Sequence, residues 1–162
     1  MFKNKGFTII ELLVVISIIS FLASIVLVNV NMYMSKARDA RTKADIRQII
    51  IAMQMYYADH GSYPTTNGNW ACLKSSGSCW NGSYSGSATL ISDLATYISN
   101  IPKAQANSGC YAYDTYLYNS SWGSPASIIW KKETPFVTGE CDGYYAGSYD
   151  CGYYYCYQYI ES

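Results

Sequence analysis

The sequence has a single histidine, His60, and no two cysteines at the two-residue spacing that is typical of zinc sites. It also has no nucleophile placed beside a base and no glycine-rich phosphate loop. We therefore do not expect an enzyme. The formal net charge is zero, which removes the general electrostatic argument for a nucleic-acid partner.

Charge is also missing from a long apolar stretch near the start of the chain. Residues 12–35 contain no Asp, Glu, Lys or Arg, and as a helix they are long enough to cross a hydrocarbon core of about 30 Å. The stretch is too long for the apolar part of a secretory signal peptide, and no Ala-x-Ala cleavage site follows it. We therefore predict a membrane-spanning helix.

The helical pattern continues beyond this stretch to about Gly61, where glycine is typical of a helix C-terminus. Apolar side chains recur at helical spacing along this second half, at Ile46, Ile50, Met53 and Tyr57. This line of side chains should pack against the rest of the chain. The sequence therefore predicts one helix of about fifty residues, at 1.5 Å per residue.

Basic side chains are crowded just after the apolar stretch: Lys36, Arg38, Arg41, Lys43 and Arg47. Within this cluster, Asp39 and Lys43 have the spacing of an ion pair on one helix face. By the positive-inside rule, Lys3 and Lys5 favour a cytoplasmic N-terminus, but the cluster counts against that orientation. The cysteines decide in favour of an outer C-terminal region, because disulfides would be reduced in the cytosol.

All six cysteines lie downstream of the apolar stretch: Cys72, Cys79, Cys110, Cys141, Cys151 and Cys156. An even count in a small region rich in Tyr, Ser and Gly is typical of a disulfide framework in an oxidising compartment. Six cysteines allow 15 pairings, and the sequence does not choose among them. Cys72 with Cys79, which would close a small loop, is the one pair we favour.

The region after residue 61 contains short apolar runs separated by Gly, Ser and Asn. Residues 110–118, 127–130 and 153–160 suit three or four antiparallel strands, and residues 89–98 suit one short helix. The 18 tyrosines fit a half-buried sheet with the phenol hydroxyls facing outward. The predicted fold class is α+β, with the second half of a long N-terminal helix packed on a small antiparallel sheet.

The segment KGFTIIELL, with Gly6 followed by Phe7, Thr8 and Glu11, resembles the processing site of type IV prepilins and pseudopilins. Residues 35–64 resemble the second half of the same family's long helix, closest to the pseudopilin G-like branch. The resemblance implies four parts. They are a leader at 1–6, a transmembrane and filament-core helix at 7–35, an amphipathic half at 36–60, and a disulfide-rich globular pilin head at 61–162.

The resemblance also implies a route of maturation. A prepilin peptidase would cut between Gly6 and Phe7, and the new amine of Phe7 would be methylated. The single-pass precursor would wait in the inner membrane until an assembly ATPase and a platform protein add it to a helical filament of identical subunits outside the cell. In such a filament the basic cluster would be largely covered, so we expect it to face solvent or another subunit and not DNA.

Glu11 is the unusual member of the processing motif, because a charge at the bilayer centre costs about 2.5–3.5 kcal/mol on insertion scales. Cleavage would create an ammonium group at Phe7, four residues away. We therefore hypothesise that Glu11, together with Thr8, registers one subunit on the next through a charge pair in the fibre core. The alternative is a tolerated carboxylate at the membrane interface with no role.

No cofactor is expected, although the resemblance raises calcium as a weak possibility. The carboxylates of Glu140, Asp142 and Asp150 are the candidate ligands, and an ordinary acidic surface is the alternative. The predicted function is a structural subunit of a type IV pilus or pilus-like surface filament. A type II secretion pseudopilin or a minor pilin for DNA uptake is the alternative, and a membrane-anchored binding domain that never assembles comes third.

Overall fold

A computed structural model describes residues 6–79, 83–104, 115–120, 126–135, 139, 142–146 and 154–160, with only the backbone at 26–29, 143–146 and 154. The chain divides into two compact units, Met1–Ser35 and Lys36–Ser162. The helices are α1 at Ile9–His60 and α2 at Ala88–Leu94. The strands are β1 at Ala71–Cys72, β2 at Ser78–Cys79, β3 at Tyr84–Gly86, β4 at Leu117–Asn119, β5 at Ser127–Lys132, β6 at Gly143–Ala146 and β7 at Tyr154–Tyr159.

The long helix predicted from the sequence is confirmed, since α1 has 52 residues. It ends where expected, because Gly61 takes the left-handed backbone conformation, with φ of 71°, that closes a helix. The Gly61 amide donates to the Tyr57 carbonyl oxygen at 2.8 Å. His60, the last helical residue, stacks its ring on Tyr56 with centroids 4.0 Å apart.

The buried face of the second half of α1 runs through Ile46, Ile49 and Met53, each at most 1% exposed. The predicted packing is confirmed at Ile46, Ile50 and Met53, which belong to the core cluster or pack against it. Ile50 and Tyr57 are only partly buried. Because the helix advances by 100° per residue, Ile49 and Ile50 lie on opposite sides of this line, and the side of Ile49 is the more deeply buried.

Seven strands in the described part of the chain form one sheet, in the order β2-β3-β1-β4-β5-β7-β6. The prediction of an antiparallel sheet holds for every pair except β1 with β3, which is parallel. The parallel pair arises because β2 reverses the chain and β3 then returns between β2 and β1. This return passes so close to the preceding loop that a Cβ at Gly86 would lie 2.6 Å from the Lys74 carbonyl oxygen.

The core of the globular unit lies between α1, α2 and the sheet. Ile128 and Trp130 of β5 and Leu90 and Leu94 of α2 pack with the buried face of α1. The short predicted helix at 89–98 is confirmed as α2, although it ends at Leu94. Its N-cap is Ser87, whose hydroxyl oxygen accepts a hydrogen bond from the Leu90 amide at 3.2 Å.

Candidate functional site

The start of α1 is closed by a reciprocal pair of hydrogen bonds between Thr8 and Glu11. One carboxylate oxygen, Oε2 of Glu11, accepts from the Thr8 amide at 2.8 Å and from the Thr8 hydroxyl at 2.7 Å. The Glu11 amide donates back to the Thr8 hydroxyl oxygen at 3.3 Å. This is a capping box, which satisfies amide donors that the first helical turn leaves without partners. The carboxylate that looked isolated in the sequence therefore has a partner within its own chain.

The predicted cleavage point lies just outside the helix. Residues 6–8 have no regular secondary structure and precede the first residue of α1. Phe7 is 82% exposed, and a Cβ placed on Gly6 would have no neighbour within 4 Å. An exposed peptide bond in non-helical backbone can enter a protease cleft without helix unwinding. Cleavage at Gly6 and methylation of Phe7 stay predictions.

The first unit exposes apolar side chains all around the helix. The large hydrophobic residues from Phe7 to Ile25 are between 46% and 82% exposed. The polar residues among them are satisfied within the helix: the Ser17, Ser20 and Ser24 hydroxyls each donate to a carbonyl oxygen three or four residues earlier, at 2.7–2.8 Å. A helix with this surface suits an environment that offers no hydrogen-bonding partners.

The length and composition of α1 bear on whether it can cross a membrane. Within the described part of α1, neither Ile9–Ile25 nor Val30–His60 is by itself long and apolar enough to cross a membrane. Two successive stretches, Ile9–Ile25 and Val30–His60, meet the requirement when they are taken together.

In the second unit, two residues of the basic cluster region bind the end of β5 and the residues that follow it. The Arg38 guanidinium forms a two-point ion pair with Glu133, with Nε to Oε1 at 2.7 Å and Nη2 to Oε2 at 2.6 Å. The Asp39 carboxylate accepts from the Glu133 amide at 2.8 Å, the Thr134 amide at 2.9 Å and the Thr134 hydroxyl at 2.6 Å. The predicted ion pair of Asp39 with Lys43 is wrong, because these donors occupy the carboxylate and no salt bridge joins the two described side chains.

Two buried tyrosines join the sheet to α1 and the loop after it. The Tyr116 hydroxyl donates to Oδ2 of Asp45 at 3.2 Å, and the Tyr118 hydroxyl donates to the Pro64 carbonyl oxygen at 2.9 Å. Burial raises the pKa of both phenols above the ordinary value, and the Asp45 charge raises the pKa of Tyr116 further. Both hydroxyls are therefore held as neutral donors.

The favoured disulfide is present. Cys72 and Cys79 are bonded, and they join the strands β1 and β2 across a short loop. Cys156 on β7 is also disulfide-bonded. Cys110, Cys141 and Cys151 lie outside the described residues. The predicted framework is thus confirmed at one complete pair, and the remaining connectivity stays a prediction.

The calcium candidates are described at one position only. Oδ2 of Asp142 accepts from the Tyr159 amide at 2.6 Å, so this carboxylate already binds the backbone of β7. Glu140 and Asp150 lie outside the described residues. No group of three or more His, Cys, Asp or Glu side chains suited to a metal occurs in the described ranges. Calcium binding stays a prediction that no contact of Asp142 supports.

Sequence reasoning missed two of these features. The capping box was readable, because Thr followed three residues later by Glu before an apolar run is its signature. The contacts of Arg38 and Asp39 had no local signal, because their partners lie 94 or 95 positions away along the chain.

Two family models match successive parts of the chain. The prokaryotic N-terminal methylation motif matches residues 1–27, and type II secretion system protein G matches residues 29–94. No solved structure matches the chain.

Curated relatives match in two ways. Type II secretion system core protein G of Escherichia coli is 43% identical over 65 residues, which is 40% of this chain and 45% of that protein. The corresponding protein of Pseudomonas aeruginosa is 38% identical over 64 residues and has the same coverage. The match thus spans less than half the length of these relatives. The type IV wide pilus major component PilA4 of Thermus thermophilus is 35% identical over 131 residues, which is 81% of this chain and 82% of that protein.

Proposed function

The chain belongs to the family of type IV pilins and type II secretion pseudopilins, which are structural subunits and not enzymes, and we propose that it is the building subunit of a surface filament of the type IV pilus kind. The observation that carries this proposal is the apolar helix surface between Phe7 and Ile25. Its 13 large hydrophobic side chains are about half exposed or more. Burying the exposed half of each of these side chains would stabilise the covered state by about 1 kcal/mol per residue. In total this is a free energy on the order of 10 kcal/mol.

Two environments can cover such a helix in turn. The bilayer covers it in the single-pass precursor, and the helices of neighbouring subunits cover it in the filament core. Because both environments are apolar, moving a subunit from one to the other costs little free energy of burial. The serine hydroxyls bonded within the helix need no new partner in either place. The proposed route is therefore insertion into the inner membrane, cleavage, and transfer into an extracellular filament.

Processing would change the partners of Glu11. In the uncut chain its carboxylate is held by the Thr8 amide and hydroxyl. Cleavage between Gly6 and Phe7 would add an ammonium group at Phe7, one residue before Thr8. In the filament core this cation and a neighbouring Glu11 could pair in a medium that screens charge weakly. We propose that this exchange of partners sets the axial register, because a misplaced subunit would leave a buried charge unpaired.

The extent of the matches favours a pilus over a secretion pseudopilus. The protein G relatives match about 40% of this chain. The pilus component of Thermus thermophilus matches 81%, so its likeness covers more of the globular unit than the 64 or 65 residues matched by the protein G relatives can. A pseudopilin of a type II secretion system is the second candidate, supported by the protein G model over residues 29–94. The prepilin peptidase, platform protein and assembly ATPase are proposed partners of either subunit.

Intact-mass spectrometry of filaments sheared from producing cells, compared with the membrane fraction, tests this proposal. We expect the sheared material to contain a chain that starts at methylated Phe7. A Gly6→Val variant, in which a branched side chain blocks the cleavage point, should stay uncut in the membranes. Thr8→Ser, which keeps the capping hydroxyl, is the matched control and should be processed normally.

Each other result has a definite meaning. Processed subunit that is found only in the membranes would favour the secretion pseudopilin. Uncut wild-type chain in every fraction would refute the proposed function. Processed Glu11→Gln subunit that forms normal filaments would refute the register role of Glu11 and leave the filament proposal standing.

A further inference from the structure

The last turn of α1 carries a carboxylate that shares a short hydrogen bond with a phenol at the surface of the second unit. The Tyr97 hydroxyl donates to Oδ2 of Asp59 at 2.7 Å. Tyr97 belongs to the segment that follows α2, so this bond joins that segment to the end of α1. The Asp59 side chain is exposed, and Tyr97 is only partly buried. Small solutes can therefore reach the pair.

Packing holds the Tyr97 phenol in place. Its amide donates to the Leu94 carbonyl oxygen at 3.0 Å, which fixes the backbone directly after α2. The ring stands edge-on to Tyr56, with centroids 5.9 Å apart, and edge-on to His60, with centroids 6.5 Å apart. Because both backbone and ring are held, the hydroxyl is preorganised toward Asp59.

This geometry suits a phenol that loses an electron and a proton together. A phenol that has lost only an electron is a very strong acid, so its oxidation is helped by a base at hydrogen-bond distance. Asp59 lies at that distance. The hydrogen bond to Asp59 also raises the pKa of Tyr97 above its ordinary value, because it disfavours the phenolate. The proton therefore stays on the phenol until the electron leaves.

Two other tyrosines provide a comparison within the same unit. The Tyr116 hydroxyl also donates to a carboxylate, Oδ2 of Asp45, but at 3.2 Å, and Tyr116 is only 1% exposed. The Tyr118 hydroxyl donates to a backbone carbonyl oxygen, which is not a base, and Tyr118 is fully buried. Of these three phenols, Tyr97 alone combines a carboxylate partner with access from solvent.

We propose that Tyr97 is a site of oxidative modification, at which nitrogen dioxide, a one-electron oxidant, nitrates the ring while Asp59 accepts the phenol proton. One nitrogen dioxide radical takes an electron from the phenol and becomes nitrite, and the proton passes to the carboxylate. A neutral phenoxyl radical remains. A second nitrogen dioxide radical forms a C–N bond at the ring carbon next to the C–O group. The hydrogen on that carbon moves to the phenol oxygen, and Asp59 returns its proton to water.

Nitration would break the contact that made it possible. A nitro group withdraws electron density from the ring, so the modified phenol loses its proton more readily. A phenolate cannot donate to Asp59, and the two adjacent negative charges repel each other. The segment after α2 would then lose its link to the last turn of α1. The chemistry of the step does not depend on the proposed function, which only places this unit outside the cell, where such oxidants can reach it.

Peptide mapping by mass spectrometry tests the proposal on the full-length chain in detergent micelles. The probe is nitrogen dioxide generated from nitrite by hydrogen peroxide and a haem peroxidase. We expect nitration at Tyr97 and none at Tyr116. Asp59→Asn keeps an acceptor oxygen but removes the base, so it should slow nitration of Tyr97 by roughly 100-fold, the lower end of the usual effect of a positioned base. The matched control is Asp93→Asn, which removes a carboxylate four positions before Tyr97 and should react within about twofold of wild type.

Equal rates of Tyr97 nitration in wild type and Asp59→Asn would overturn the proposal. Equal nitration of Tyr97 and Tyr116 in the wild-type chain would do so without any variant, even if Asp59→Asn failed to fold. A control as slow as Asp59→Asn would show that general negative charge, and not the hydrogen-bonded base, governs the reaction.

Hydrogen exchange measures the consequence of nitration. The Tyr97 and Ile98 amides, which both donate to the Leu94 carbonyl oxygen at 3.0 Å, should exchange faster in the nitrated chain. Unchanged exchange would refute the release of this segment. Tryptophan fluorescence before and after substitution checks that the variants remain folded, because all four tryptophans lie in the unit Lys36–Ser162.

Discussion

Replacing Asp39 with alanine should release the end of β5 from α1. In the folded unit, Oδ1 accepts the Glu133 amide and Oδ2 accepts both the amide and the hydroxyl of Thr134. The variant removes both acceptor oxygens, and with them three hydrogen bonds, so the amides of Glu133 and Thr134 must find water instead. Asp39→Asn keeps the shape of the side chain, but one of its two oxygens becomes an NH2 group that cannot accept.

The magnitude follows from the geometry. Hydrogen bonds to charged groups contribute about 1.5–3 kcal/mol each, and a donor left without a partner in a buried place costs about as much. Because Asp39 is only partly buried, water can replace part of this loss. We therefore expect Asp39→Ala to lower the free energy of unfolding by about 2–4 kcal/mol. Asp39→Asn should lose about half as much, since it retains one acceptor oxygen.

Thermal unfolding of the full chain in mild detergent, followed by tryptophan fluorescence, measures this loss. All four tryptophans report the unit that contains Asp39. For a unit of this size, we expect the Tm to fall by roughly 6–15 °C in Asp39→Ala. Asp93→Ala is the matched control: this carboxylate lies in the last turn of α2, where a negative charge is not favoured, so its loss should be neutral or slightly stabilising.

A Tm of Asp39→Ala within about 1 °C of wild type would refute the reasoning, since that shift corresponds to only a few tenths of a kcal/mol. It would mean that water replaces the carboxylate without loss. An equal drop in Asp93→Ala would instead show that removal of any carboxylate destabilises the unit. An Asp39→Asn variant as unstable as Asp39→Ala would show that the negative charge matters more than the number of acceptors.

Three further predictions concern other parts of the chain. Thr8→Ala should lose the capping box and about 1 kcal/mol of helix stability, which faster hydrogen exchange at the amides of residues 9–12 would show; unchanged protection would contradict it. Replacing both Cys72 and Cys79 with serine should cost about 2–3 kcal/mol in denaturant unfolding, as expected for a short closed loop, and an unchanged midpoint would oppose the prediction. Because the pKa of Tyr116 is raised, its contribution to stability is complete below the ordinary pKa of 10.0 and is lost as the pH rises through the higher folded value. Unfolding measured between pH 8 and 12 should therefore show a shallower alkaline loss in Tyr116→Phe, and an identical slope would contradict this.

The elements that could be predicted are those whose determining residues are close together in the sequence. The end of α1 was predicted because Gly61 directly follows the last helical turn, and α2 because Leu90 and Leu94 repeat at helical spacing. The pair Cys72 with Cys79 needed only a short loop. In each case the residues that form the feature and the residues that indicate it lie within a few positions of one another in the sequence.

The sheet was harder to predict because its strands are short. The strands β1 and β2 have two residues each and β3 has three, which is too short to show an alternating pattern. The order of these strands in the sheet depends on hydrogen bonds between backbone groups, and every residue type except proline can donate and accept such bonds. The parallel pairing of β1 with β3 therefore had no signature in the side chains.

The same limit applied to the candidate site. The motif from Gly6 to Glu11 was interpreted as a processing site, and that interpretation assigned Glu11 to an intermolecular contact and overlooked its hydrogen bonds to Thr8. The sequence motif therefore led only to the hypothesis of an intermolecular contact, and the hydrogen bonds within the chain were found in the structure.

The basic cluster after the apolar stretch illustrates how folding can offset an unfavourable charge distribution. The positive-inside rule acts on the chain during insertion and counts Lys36, Arg38 and Lys43 against an outer location. In the folded unit the Arg38 charge is paired with Glu133. Because this ion pair exists only in the folded unit, it would stabilise the proposed orientation, with the folded unit outside, after the residues have crossed the membrane.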